Sequence, residues 1–116
     1  MGLSTHVLDT MHGCPAAGMV AELHRVDGAQ AGLVRRFILN QDGKSETPLY
    51  RDGELQRGTY RLVFEVAAYF RLRGVVLPDP PFLDRVQVDF GIADTNQHYH
   101  VPLLVSPWSH STYRGS

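Results

Sequence analysis

An all-β domain, a two-sheet β-sandwich with one short helix, is what this chain predicts, on three observations. Apolar and polar residues alternate with period two over most of its length, turn chemistry interrupts that alternation at short intervals, and a single stretch changes to helical composition. Leu3 to Leu8 alternates as a first strand, and His12-Gly13-Cys14-Pro15 breaks it. Met19 to Val26 alternates again, with Val20, Glu22, His24 and Val26 on one side and Met19, Ala21, Leu23 and Arg25 on the other. Asp27-Gly28 and Gly32 form a connection into a third strand from Leu33 to Leu39. Asn40-Gln41-Asp42-Gly43 then reads as a turn, because Asp-Gly supplies the positive φ that a tight hairpin needs. Pro48 to Leu55 is less regular.

Gly58 to Val66 carries the clearest strand pattern in the chain. Ala67-Ala68-Tyr69-Phe70-Arg71-Leu72-Arg73-Gly74 follows it with a different character: alanine, leucine and arginine closed by glycine predict one or two helical turns with Gly74 near the C-cap. Pro78, Pro80 and Pro81 exclude regular structure after the helix. Phe82 to Phe90 and Tyr99 to Val105 supply two late strands around a polar loop, and Trp108 to Tyr113 adds a short last one. There is no internal repeat and no low-complexity segment.

A chain of 116 residues has room for one core and not two, so residues 1–116 are expected to form one domain. The net charge of −1 comes from interspersed acids and bases, which leaves no basic stripe for nucleic acid or an anionic membrane. No stretch approaches the ~20 apolar residues of a membrane span. Met1-Gly2-Leu3 leads straight into a strand pattern without the charged and apolar regions of a signal peptide, which argues against secretion. The single cysteine, Cys14, has no internal disulfide partner and reads as a small turn residue beside Gly13 and Pro15. A cytoplasmic protein fits these features.

The acid–base inventory is small and concentrated. His98 and His100 are one residue apart, which on a strand directs both imidazoles to one face. Neighbouring imidazoles depress each other's proton affinity, so at least one is expected to stay neutral near pH 7 and accept a proton. Solvent-facing strand histidines give the same pattern. So does metal ligation, with His6 as a third ligand, although no Cys pair or Glu stands at ligand spacing to complete a zinc site. His6 itself lies mid-strand between Thr5 and Val7, a place equally suited to a surface histidine.

Three segments add a resemblance to this reading: Ser4-Thr5-His6-Val7-Leu8, His98-Tyr99-His100-Val101-Pro102-Leu103-Leu104, and the tail Ser111-Thr112-Tyr113-Arg114-Gly115-Ser116. Together they closely resemble the transthyretin-like family over essentially the whole chain, and within it the branch that hydrolyses 5-hydroxyisourate. The resemblance implies two four-stranded sheets with a short helix between the fifth and sixth strands. It also implies a homotetramer of stacked dimers whose central channel holds two active sites. His6 and His100 match the family's catalytic histidines, which the hormone-carrying relatives lack. A third catalytic position is usually an arginine directly after the Asp-Gly turn, whereas this chain has Asp42-Gly43-Lys44. Lys44 keeps the positive charge and loses the planar fork that grips an oxygen through two hydrogen bonds. Arg51 and Arg114 are the alternative sources of a guanidinium. Tyr113, Arg114 and Ser116 are implied as substrate contacts beside His6 and Lys44.

The reaction so implied opens 5-hydroxyisourate to 2-oxo-4-hydroxy-4-carboxy-5-ureidoimidazoline in urate breakdown. It needs an activated water and a stabilised oxyanion, and no cofactor or metal. A transthyretin-like carrier of a small aromatic ligand is the rival expectation, since the same fold serves both.

Overall fold

The computed structural model describes residues 2–50 and 53–115. Its strands are β1 (Leu3–Asp9), β2 (Cys14–Pro15), β3 (Val20–Asp27), β4 (Gln30–Ile38), β5 (Gly58–Glu65), β6 (Arg85–Ile92), β7 (Tyr99–Val105) and β8 (His110–Thr112). One helix, α1 (Val66–Leu72), stands between β5 and β6. The strands form two four-stranded sheets, ordered β2-β1-β7-β8 and β4-β3-β5-β6. The expected sandwich and the place of its helix are both observed.

Alternation decides which side of each strand meets the other sheet. In β1, Leu3, Thr5, Val7 and Asp9 are buried, and Ser4, His6 and Leu8 alternate with them on the outer face. Met19, Ala21 and Leu23 go inward, as do Tyr60, Leu62 and Phe64 of β5, and the inner faces of the two sheets make one apolar core. β1 pairs parallel with β7, with Leu3 opposite Tyr99 and Asp9 opposite Val105. The Thr5 hydroxyl reinforces that seam by donating to the Val101 carbonyl at 2.6 Å.

α1 buries Val66, Ala67, Tyr69 and Phe70. It ends where Arg73 caps it and Gly74 takes φ +83°, the left-handed conformation expected there. The Tyr69 hydroxyl donates to Asp9 Oδ2 at 2.7 Å, fastening the helix to the end of β1.

Besides shifts of a residue or two at other ends, the structure departs from the sequence expectation in four places. β4 begins at Gln30 because Gly28, with φ +59°, closes the hairpin after Asp27, and Gly32 is drawn into the ladder opposite Arg25. β6 begins at Arg85, since the Asp84 carbonyl is already taken by the amides of Val66 and Ala67 at the start of the helix. β8 is confined to His110–Thr112 because Ser106 and Ser109 bond each other across a turn that contains Trp108. Cys14 and Pro15 form a two-residue strand against Leu8 and Asp9 and do not simply end the first strand.

Candidate functional site

The outer face of the β2-β1-β7-β8 sheet gathers the chain's distinctive polar residues, and strand register explains how. In β1, Ser4 lies opposite His100 of β7, and His6 lies opposite Pro102. The segment after the Asp42-Gly43 turn runs along the other edge of β1, so Lys44 pairs with His6 and Tyr50 with Leu3. Lys44 and His6 are therefore side by side across one edge of β1, while Ser4 and His100 are side by side across the other, two residues away. His6, Lys44 and His100 are thus brought to one face of one sheet.

The turn is built for that approach. Asn40 Oδ1 accepts from the amides of Asp42 and Lys44, at 2.9 and 3.1 Å. Gly43 has φ +74°, and a Cβ there would stand 2.5 Å from the Val7 carbonyl oxygen and 3.3 Å from the His6 ring. Only glycine lets this loop press against β1 and present Lys44 beside His6.

Hydrogen bonds link the other side of the site. Ser4 Oγ lies 2.8 Å from His100 Nδ1 and 3.0 Å from His98 Nε2, and the Gly2 amide donates to His98 Nδ1 at 3.2 Å. Partial burial holds the half-buried His100 below the ordinary histidine pKa, aided by the nearby charges of His6, His98 and Lys44. The neutral form of His100 is consequently favoured. A cleft of about 300 Å³ opens here, lined by Ser4, Thr5, Lys44, Glu46, His98 and His100 among others. The arrangement combines an ammonium with imidazoles that can exchange protons, which is what adding water to a carbonyl requires.

The tail is divided. Gly115 pairs with His100, its amide donating to the His100 carbonyl at 2.8 Å, and a Cβ on it would stand 2.7 Å from His100 Cδ2. Tyr113 and Arg114 instead line a separate cleft of about 240 Å³ with Tyr99, Val101 and Thr112. The Arg114 guanidinium stacks 4.3 Å from the Tyr99 ring centroid and donates to Gln97 Oε1 at 2.7 Å, so it is turned away from Lys44. Ser116 and Arg51 lie outside the described residues.

His12 is committed to Asp9 at 2.6 Å, and His24 to Glu22 at 3.0 Å. Among the described residues no group of three His, Cys, Asp or Glu side chains is placed to hold a metal ion. A wider cleft of about 510 Å³ lies on the other sheet around Glu22, His24 and Arg61, but Glu22 is paired with Arg36 and Arg61 with Asp89. Sequence reasoning passed over Ser4 as a member of the site. Its signal was present, because Ser4 and His6 share a face of the same strand.

The model of the HIUase/transthyretin family matches residues 3–115. A 5-hydroxyisourate hydrolase of Pseudomonas aeruginosa is 52% identical over 114 residues, covering 98% of this chain and 90% of that one. Its counterpart in Deinococcus radiodurans is 52% identical over 115 residues, covering 99% and 96%. Among solved structures, an (S)-allantoin synthase superposes with TM-score 0.92 at 47% identity, and this chain spans 99% of its own length but 43% of that longer chain. Klebsiella pneumoniae 5-hydroxyisourate hydrolase gives TM-score 0.80 at 34% identity, with both chains fully covered. Sea bream transthyretin in complex with thyroxine gives 0.86 at 23% identity over 99% and 95% of the two chains, a likeness of fold.

Proposed function

The chain belongs to the HIUase/transthyretin family, and from that membership we infer that it is an enzyme hydrolysing 5-hydroxyisourate in urate catabolism, with 2-oxo-4-hydroxy-4-carboxy-5-ureidoimidazoline as product. One observation carries the reading: Lys44 and His6 meet across β1, and Ser4 brings His100 into the same face. A pure carrier has no use for paired imidazoles beside an ammonium.

Water adds to the ring carbonyl, an imidazole takes its proton, and the ammonium of Lys44 balances the oxyanion that develops. The ring C–N bond then breaks and the leaving nitrogen is protonated. His6, His100 and Lys44 are the catalytic residues in this reading, with His6 and Lys44 also holding the substrate. The reading needs no redox cofactor, since hydrolysis transfers no electron, and no metal, since an imidazole and the Lys44 ammonium supply the base and the charge.

Tyr113, Arg114 and Ser116 are proposed as substrate contacts in a homotetramer. Two features support that assembly. β6 and β8 each stand at one edge of their sheet, where a strand has backbone groups to offer another chain. Tyr113, 61% exposed and set apart from Lys44 in its own protomer, is free to face a neighbour. A cytoplasmic site of action completes the proposal. No helix among the described residues is long and apolar enough to cross a membrane. Freshly generated 5-hydroxyisourate, followed by absorbance with and without the protein, tests the function. Decay no faster than the spontaneous rate would leave the carrier reading in its place.

A further inference from the structure

We propose that Ser4 and His98 are positioning residues that lock His100 into one tautomer, with its proton on Nε2, so that His100 serves the reaction as a neutral hydrogen-bond donor and His6 is the group that accepts the proton from water. This rests on the hydrolytic reading above and assigns its two histidines different tasks.

The polarity of the chain of bonds starts at its backbone end. The Gly2 amide can only donate, and it points at His98 Nδ1 from 3.2 Å. That nitrogen must present its lone pair, so the neutral His98 ring carries its proton on Nε2. Nε2 lies 3.0 Å from Ser4 Oγ and donates to it. The Ser4 hydroxyl has one proton left to give, and its remaining neighbour is His100 Nδ1 at 2.8 Å. His100 Nδ1 therefore accepts, and the ring proton resides on Nε2.

The opposite arrangement would put a proton on His100 Nδ1. Ser4 Oγ would then accept from both rings and its own hydrogen would lose its partner. An imidazolium at His100 has the same defect, and it would stand among further cationic or protonatable groups. His6 faces it from β1, Lys44 from the segment beside β1, and His98 from its own strand's approach, with Glu46 lining the same cleft but bonded to Asn40.

Gly115 adds a mechanical constraint. The tail lies so close that a Cβ on Gly115 would stand 2.7 Å from His100 Cδ2, which leaves little room for a ring flip that would put Cδ2 in place of Nδ1 beside Ser4. With Nδ1 taken by Ser4 and Nε2 already protonated, His100 has no lone pair for water. A neutral imidazole in this state polarises a carbonyl by donating, and the lone pair needed for general-base work falls to His6.

Nitrogen NMR of histidine-labelled protein, run beside the hydrolysis assay, tests this. In the unaltered chain His100 and His98 should both show the Nε2–H pattern at neutral pH. Ser4→Ala should release His100 into a mixture of tautomers and lower kcat about 10-fold, the equivalent of one hydrogen bond, with KM little changed. Ser4→Thr keeps the hydroxyl and should restore both readouts, and His98→Ala should resemble Ser4→Ala. An Nδ1–H pattern at His100 in the unaltered protein would overturn the assignment. So would a folded Ser4→Ala variant with unchanged tautomer and unchanged kcat. A protein that shows the Nε2–H pattern yet fails to hydrolyse 5-hydroxyisourate would sink the proposed function while upholding the lock.

Discussion

His100 sits where burial and three neighbouring groups act on one imidazole, and the sign of their effect is clear. Burial first, and then the charges of His6, His98 and Lys44, hold its pKa below the ordinary 6.5, so the neutral ring is favoured at pH 7. Protonation sets in only as pH falls through that lowered value. An NMR titration of His100 is expected to have its midpoint below 6.5, and hydrolysis should rise with pH across roughly pH 5 to 8 as imidazoles lose protons. A flat profile over that range would remove imidazole from the mechanism. His6→Ala and His100→Ala should each lower the rate by about 10²–10⁴-fold, whereas His12→Ala and His24→Ala, whose rings are bound to Asp9 and Glu22, should retain it. Lys44→Ala should cost ~10²–10³-fold, the scale of one lost oxyanion donor. Lys44→Arg should keep or improve the rate by adding the bidentate fork. A neutral Lys44→Ala would move the role of the cation to Arg51 or Arg114.

At the scale of elements, the join between β1 and α1 depends on one buried carboxylate. Asp9 is fully buried and accepts from the Tyr69 hydroxyl, the His12 ring and the His12 amide. Burial alone would raise its pKa, but the hydrogen bonds from His12 and Tyr69 outweigh it and hold the carboxyl below 3.8. A carboxylate with a lowered folded-state pKa contributes stability that is present above its unfolded value and is lost as pH falls through the folded one. Tyr69→Phe removes one donor to this charge and should cost about 1.5–3 kcal/mol in chemical denaturation at neutral pH. In acid below 3.8 the gap between variant and parent should narrow as Asp9 gains its proton. An equal gap at both pH values would mean that the hydroxyl is packed and not electrostatically engaged.

For the whole molecule, the decisive measurements are mass and truncation. β6 and β8 each stand at one edge of their sheet, and Tyr113 lies apart from Lys44 within one protomer. Light scattering is expected to give a mass four times that of the chain. Deletion of residues 113–116 should yield a folded protein that hydrolyses poorly, because Tyr113, Arg114 and Gly115 lie outside the apolar core while Gly115 touches His100. An active monomer or a fully active truncation would make the tail an idle end. Exhaustive chelation should leave the rate unchanged. A loss that zinc restores would turn His6, His98 and His100 into ligands.

How far the sequence carries depends on how far apart the interacting residues stand. Alternation over Leu3–Leu8 and Gly58–Val66, the Asp42-Gly43 turn and the helix before Gly74 are local effects of pleat, φ and propensity, and each was legible from adjacent residues. The motifs around His6 and His100 likewise identified the family and the chemistry. Boundaries failed where a remote group claimed the backbone, as when the amides of Val66 and Ala67 took the Asp84 carbonyl and delayed β6 to Arg85. The parallel pairing of β1 with β7, the meeting of Lys44 with His6, and the chain from Gly2 through His98 and Ser4 to His100 join residues up to 96 positions apart. Periodicity describes the order of side chains along a strand. Which strand lies beside it, in which register and direction, is decided by the packing of the two sheets together, and that packing alone placed Ser4 between two imidazoles.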